Sequence, residues 1–119
     1  ELLPEKRMLT HPNLAKAVGS DFLAARLRLL RPAAHTFGHT HFSWDTQLAD
    51  GVRYVQWPLG YPVEQRKRAK TAEAWKPLLL FDSEQGGLTP ARHCYWSAHY
   101  EAVSRDPYDV RPAPWVTVR

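Results

Sequence analysis

Residues 34–62 read AHTFGHTHFSWDTQLADGVRYVQWPLGYP. The pattern is that of strands, punctuated by a glycine and an Asp-Gly pair. Ala33 to Phe37 is short and mostly apolar, which predicts a buried strand. Gly38 after it is expected to adopt a backbone conformation that a residue with a Cβ would resist. His41 to Thr46 then reads as a second strand, Asp50-Gly51 as a hairpin turn, and the alternating Val52 to Trp57 as a third strand. Pro58, Gly60 and Pro62 close the unit. The first strand therefore delivers His39 and His41 to the mouth of a sheet. On extended backbone, histidines at i and i+2 point the same way, so both can face one site. Neutral imidazole is the commonest protein metal ligand. Two nitrogens still fall short of the roughly three protein ligands that a catalytic zinc needs. Taken alone, the pair reads more readily as a hydrogen-bonded turn than as a ligand set, and its flanks must decide.

Upstream, Pro4 and Pro12 among charges predict a loop-like entry. Asn13 is placed to cap a short helix over Leu14 to Val18, ended by Gly19 in a left-handed conformation. Ser20 reads as the N-cap of a second helix, with Asp21 where a negative charge suits the helix dipole. Leu23, Leu27 and Leu30 recur at i, i+4 and i+7, while Arg26, Arg28 and Arg31 fall largely elsewhere, which predicts an amphipathic helix packed by its leucine face. Pro32 stops it. Downstream, Pro77 to Phe81 reads as a strand, Gly86-Gly87 as a turn and Tyr95 to Val103 as a helix. The residues around Pro107, Pro112, Pro114 and Trp115 read as an extended tail. Tyr95, Trp96, Tyr100 and Trp115 are expected to anchor that tail to a sheet edge or to a partner.

The chain has 119 residues, 44% hydrophobic and 24% charged, with ten prolines and five tryptophans. That size fits one domain able to bury about two thirds of its surface. No apolar run approaches the roughly 18 residues of a membrane span. The net charge of +4 comes largely from Arg66-Lys67-Arg68 and Lys70. That run reads as a solvated loop, and without neighbouring aromatics or glycines it does not point to nucleic acid. Cys94 is the single cysteine, which excludes an internal disulfide and points to an intracellular setting, the cytoplasm first and an organelle as the alternative. The opening Glu1-Leu2-Leu3-Pro4, without methionine, predicts that residue 1 is not a translation start, and no secretory signal is visible.

The run His35-Thr36-Phe37-Gly38-His39-Thr40-His41-Phe42, with Trp44-Asp45 and then Asp50-Gly51-Val52-Arg53-Tyr54-Val55-Gln56-Trp57-Pro58-Leu59-Gly60-Tyr61-Pro62, resembles the C-terminal motif region of the calcineurin-like metallophosphoesterases. The resemblance covers residues 1 to 65 and is less specific from 77 onward. It implies an α/β fold, the C-terminal part of a two-sheet sandwich with flanking helices, incomplete on its own. It divides the chain into residues 1–85, part of a phosphoesterase domain, and 86–119, an aromatic and proline-rich extension packed on the domain or a partner. It implies that His39 binds one metal and His41 the other, in a pair of Mn, Fe or Zn ions that hydrolyses a phosphoester by the two-metal scheme. His35, on the incoming strand, is expected to be a supporting or core histidine rather than a ligand.

The departures from that pattern matter equally. The family's DxH, GDxxx(D) and GNH motifs are absent, and so is the histidine expected just before Glu1-Leu2-Leu3-Pro4. His11 lies too far into the approach segment to replace it. By ligand counting this chain alone cannot hold a dinuclear centre, and it is expected to be inactive without an N-terminal part. The competing expectation is a non-catalytic remnant of the fold serving as a structural or binding subunit. Either way a protein partner, or the remainder of the domain, must cover exposed sheet.

Two other sets of residues carry chemistry. Cys94 with His93 and His99 offers a thiol and two imidazoles, but a nucleophile needs a base in contact and a third orienting group. A packed, buried cysteine is the expectation. Asp45, Asp82 and Glu84 are possible acids or bases that spacing does not single out.

Overall fold

Arg53–Gln56 (β3) is the central strand of a three-stranded sheet in the computed structural model, which describes residues 2–68 and 75–116. Ala34–Thr36 (β1) runs parallel to it, with His35 opposite Tyr54. Trp44–Gln47 (β2) runs antiparallel on its other side, with Asp45 opposite Val55 and Gln47 opposite Arg53. All four residues of β3 are buried, as a middle strand requires. Gly51 turns the β2–β3 hairpin at φ 79°, and the Val52 N–H donates to Asp50 Oδ1 at 3.0 Å.

The second strand begins three residues later than the sequence pattern predicts. The cause is His41, whose φ of 58° takes the chain out of the extended region, so pairing resumes only at Trp44.

The two-residue offset across the hairpin puts Asp45 and Arg53 diagonally on one sheet face. There they form a bidentate ion pair, Arg53 Nε to Asp45 Oδ1 at 2.7 Å and Nη2 to Oδ2 at 2.7 Å. The Asp45 side chain is 0% exposed. The carboxylate also accepts the Arg92 N–H at 2.7 Å, and the guanidinium donates to the Thr89 and Pro90 carbonyls. The Asp45 N–H donates to Ser97 Oγ at 2.9 Å. One buried pair thus fastens β2, β3, residues 89–92 and the helix Tyr95–Ala102 (α3) together. Asp45, which sequence spacing left among the surface charges, is the most deeply enclosed acid described.

Beside it lies the aromatic core of Met8, Trp44, Trp96 and Ala113, with Phe37, Phe42 and Tyr100 packed on it. Trp44 stacks on Tyr100 at 5.9 Å and 7°. The tail lies on the N-terminal segment: the Ala113 N–H donates to the Arg7 carbonyl, and Trp115 Nε1 donates to the Met8 carbonyl at 3.1 Å. Trp115 thus anchors the tail, but to the N-terminal segment rather than to the sheet edge or partner that the sequence predicts; Trp96 and Tyr100 pack in the core, and Tyr95 is exposed.

Several expectations need correction. The helix Asp21–Leu30 (α1) is capped by Ser20, which accepts the Leu23 N–H at 3.2 Å. Its leucine face, however, is only partly covered: no residue of α1 is buried, Leu27 is half-buried while Leu23 and Leu30 are exposed, and Phe22 and Leu29 beside that face are 85 and 84% exposed. Leu14–Lys16 is a single 3-10 turn, and the Asn13 side chain makes no cap bond to it. Arg66, Lys67 and Arg68 end the helix Pro62–Arg68 (α2) rather than lying in a loop; Lys70 is outside the described residues. Of the strand predicted over Pro77 to Phe81, only Phe81 is paired, Phe81–Asp82 (β4) with Gly87–Leu88 (β5). The rest has no partner strand among the described residues. No helix among the described residues is long and apolar enough to cross a membrane.

Replacing Asp45 by Ala strands the Arg53 guanidinium in a dry site, which costs about 3–5 kcal/mol. Chemical denaturation should show that loss for Asp45→Ala and a clearly smaller one for Asp45→Ala with Arg53→Met, because removing both partners leaves no buried charge.

Candidate functional site

Gly38-His39-Thr40-His41 follows the C-terminal end of β1, where open α/β sheets commonly bind ligands. The loop is held from beneath by Gln56, the last residue of β3 and 1% exposed. Thr40 Oγ1 donates to Gln56 Oε1 at 3.2 Å, and Gln56 Nε2 donates back to Thr40 Oγ1 at 2.8 Å. With Thr40 drawn inward, its neighbours project differently: His39 and His41 both line a cleft of about 380 Å³ with Gly38, Trp57, Gly60 and Tyr61.

The loop reaches this arrangement by strain. His39 and His41 have φ of 82° and 58°, the left-handed region that costs residues with a Cβ about 1–3 kcal/mol. The expectation for Gly38 is overturned, since its φ is not in that region and a Cβ there would meet nothing within 4 Å. The histidines share a cleft, but not through the extended i, i+2 geometry read from the sequence.

His41 is fixed from outside as well. Its Nδ1 lies 3.1 Å from Glu64 Oε2, and the Tyr61 ring stands edge-on to it at 4.7 Å. The same Glu64 oxygen accepts the Tyr61 N–H at 2.5 Å, which caps α2 in the manner of a third-position glutamate. His39 is exposed and makes no hydrogen bond among the described residues.

His35 sits apart from this cleft. It stacks on Phe37 at 6.3 Å and meets Tyr54 edge-on at 5.8 Å, lining an apolar groove under α1 together with His39, Asp50 and Tyr54. The Val52 N–H and then the Tyr54 hydroxyl, 2.8 Å from Asp50 Oδ2, hold the Asp50 carboxyl below the usual carboxylate range. His11 lines a different cavity, between the N-terminal segment and the tail.

The remaining chemical candidates are structural. Cys94 is buried, and burial first and the Asp45 charge second push its thiol up to about 11. His99 is enclosed by Tyr95, Trp96 and Tyr100, and His93 is exposed. Asp82 accepts the Glu84 and Gln85 N–H groups and shapes the β4–β5 turn.

The imidazoles of His39 and His41 have the right chemistry for a transition metal, but no group of three or more His, Cys, Asp or Glu side chains able to hold an ion occurs among the described residues. A metal pair therefore does not fit the described residues alone. Sequence reasoning named the two histidines and missed Thr40, Gln56 and Glu64. Glu64 carried a readable signal, a glutamate three residues after Tyr61 with Pro62 opening a helix. Gln56 and Thr40 are linked only by strand register. Compared with protein-family models, curated proteins and solved structures, the chain matches none.

Two outcomes follow from the geometry. His39→Gly removes the left-handed penalty at an exposed position and adds only glycine's entropy, so thermal unfolding should show stability equal to wild type or up to about 1 kcal/mol higher. With its thiol held protonated to about 11, native Cys94 should resist alkylation from pH 7 to 9 and react at an ordinary thiol rate once denatured. Rapid native labelling would contradict its burial.

Proposed function

We propose that this chain is the C-terminal portion of a calcineurin-like metallophosphoesterase domain, contributing His39 and His41 to a dinuclear site for phosphoester hydrolysis. The observation that carries the reading is the joint presentation of both imidazoles on one cleft by a strained loop after a parallel strand. Backbone strain of this kind persists where surrounding structure holds it and gathers at functional sites. Thr40 with Gln56, and Glu64 with His41, are the contacts that hold it here.

In this reading the sheet of β1, β2 and β3 is part of one layer of a two-sheet sandwich, and the remaining metal donors lie outside the described residues. The bound pair would supply a metal-activated hydroxide and charge neutralisation at the phosphoryl group. This chain's own residues bind and orient: His39 and His41 as ligands, Gln56 and Thr40 as the brace beneath them. His35, packed between Phe37 and Tyr54, stiffens the incoming strand.

The second reading is a non-catalytic subunit of a larger assembly. The exposed Phe22, Leu29 and Leu30 favour it, since such a face calls for cover. The same face is also open to the rest of a phosphoesterase domain.

Metal content and hydrolysis of a generic aryl phosphate by the full-length protein distinguish the two. Full-length protein should hold Mn, Fe or Zn and hydrolyse the ester. His39→Ala and His41→Ala, with unchanged circular dichroism, should each lower the rate by at least about 100-fold, beyond the 10–100-fold typical of losing a ligand's outer partner. Unchanged rates would remove the ligand assignment, and a metal-free, inert full-length protein would leave the binding-subunit reading.

A further inference from the structure

Against His41, at the edge of the cleft, stands a side chain that no motif singled out, and its contact fixes a property of His41 that the sequence leaves open. An imidazole has two nitrogens, and in the neutral ring one donates while the other keeps a lone pair. Which one does which is set by the partner of the ring. Here the partner is Glu64, whose Oε2 lies 3.1 Å from Nδ1. A carboxylate only accepts hydrogen bonds. The proton of the neutral ring must therefore sit on Nδ1, leaving the lone pair on Nε2.

From this we infer that Glu64 is a positioning residue, which selects the Nδ1–H tautomer of His41 and leaves Nε2 as the lone-pair nitrogen of a side chain lining the cleft. Three observations support the assignment. Glu64 is itself held, because the oxygen that meets His41 also accepts the Tyr61 N–H at 2.5 Å and so caps α2. The ring cannot easily turn over, because Tyr61 packs edge-on against it at 4.7 Å. Finally, the backbone of His41 is held at φ 58°, flanked by Thr40 on Gln56, so the imidazole's origin is fixed as well as its far edge.

The consequence concerns ligation. A histidine that donates one ring N–H to a carboxylate presents its other nitrogen in a fixed direction and with raised basicity. The use of Nε2 toward a metal rests on the phosphoesterase reading. The tautomer does not, and can be measured without any metal.

The test is long-range 15N–1H NMR of the histidine side chains, in metal-free protein above the histidine titration range, with the His41 signal assigned by its loss in His41→Asn. Wild type should show Nδ1 as the protonated, pyrrole-type nitrogen and Nε2 as the pyridine-type one, the reverse of the form that predominates in free histidine. Because one oxygen, Oε2, meets both the Tyr61 N–H and Nδ1, an amide oxygen could replace it, so the informative variant is Glu64→Ala, which removes the acceptor altogether. In Glu64→Ala the His41 signals should shift to the Nε2–H form or a mixture of the two. An Nε2–H tautomer in wild type, or an unchanged tautomer in folded Glu64→Ala, would overturn the inference. Should Glu64→Ala fail to fold, the wild-type tautomer alone decides. If Zn²⁺ or Mn²⁺ added to full-length protein leaves the His41 signals in place while the tautomer is as stated, the phosphoesterase reading fails and the role of Glu64 stands.

Discussion

The Asp45–Arg53 ion pair is the interaction on which the other parts of the structure depend. A charge pair taken out of water loses several kcal/mol of hydration per ion and is tolerated only when every lone pair and donor finds a partner. Here the carboxylate meets the Arg53 fork and the Arg92 N–H, and the guanidinium reaches the Thr89 and Pro90 carbonyls. Satisfying the pair therefore dictates where residues 89–92 must run. That path brings α3 across β2, where Trp96 and Tyr100 close the aromatic core over Trp44 and Met8. Burial has a cost for chemistry too, since it keeps the Cys94 thiol protonated and disqualifies it as a nucleophile.

The same hairpin supports the histidine loop from its other end. Gln56 closes β3 with its side chain enclosed, and its only described side-chain partner is Thr40. The left-handed conformations of His39 and His41 are thus set against contacts on both sides, Gln56 below and Glu64 beyond. Two strained non-glycine residues within three positions are difficult to account for by packing alone, because His39 is exposed and packs little. Strain without a packing return is what a binding edge would show.

Much of the sheet was legible in the sequence, and the reasons differ by element. The Asp50-Gly51 turn and the alternation of Val52 to Trp57 marked the hairpin, since turn chemistry and period 2 are local signals. Ser20 and Pro32 bounded α1 correctly for the same reason. The leucine spacing of α1 was legible as well, but not its burial, because periodicity describes a helix and says nothing of whether a partner is present; Leu30 follows the pattern and lies in the open. Asp45 and Gln56 were hidden because their importance comes from register and from contacts 8 and 16 residues away in sequence, and while the capping role of Glu64 was readable locally, its contact with His41, 23 residues away, was not. Gly38 was misread by a general rule: the conformational burden fell on the histidines beside it.

The central proposal is that the loop braced by Gln56 and Glu64 presents the imidazoles of His39 and His41 to one cleft as metal ligands. Anomalous diffraction from crystals of the full-length protein grown with Mn²⁺ or Zn²⁺ tests it most directly. The account predicts anomalous density within about 2.0–2.3 Å of a ring nitrogen of both His39 and His41. Metal bound elsewhere with neither imidazole in reach, or the two rings turned to separate hydrogen-bond partners, would contradict it.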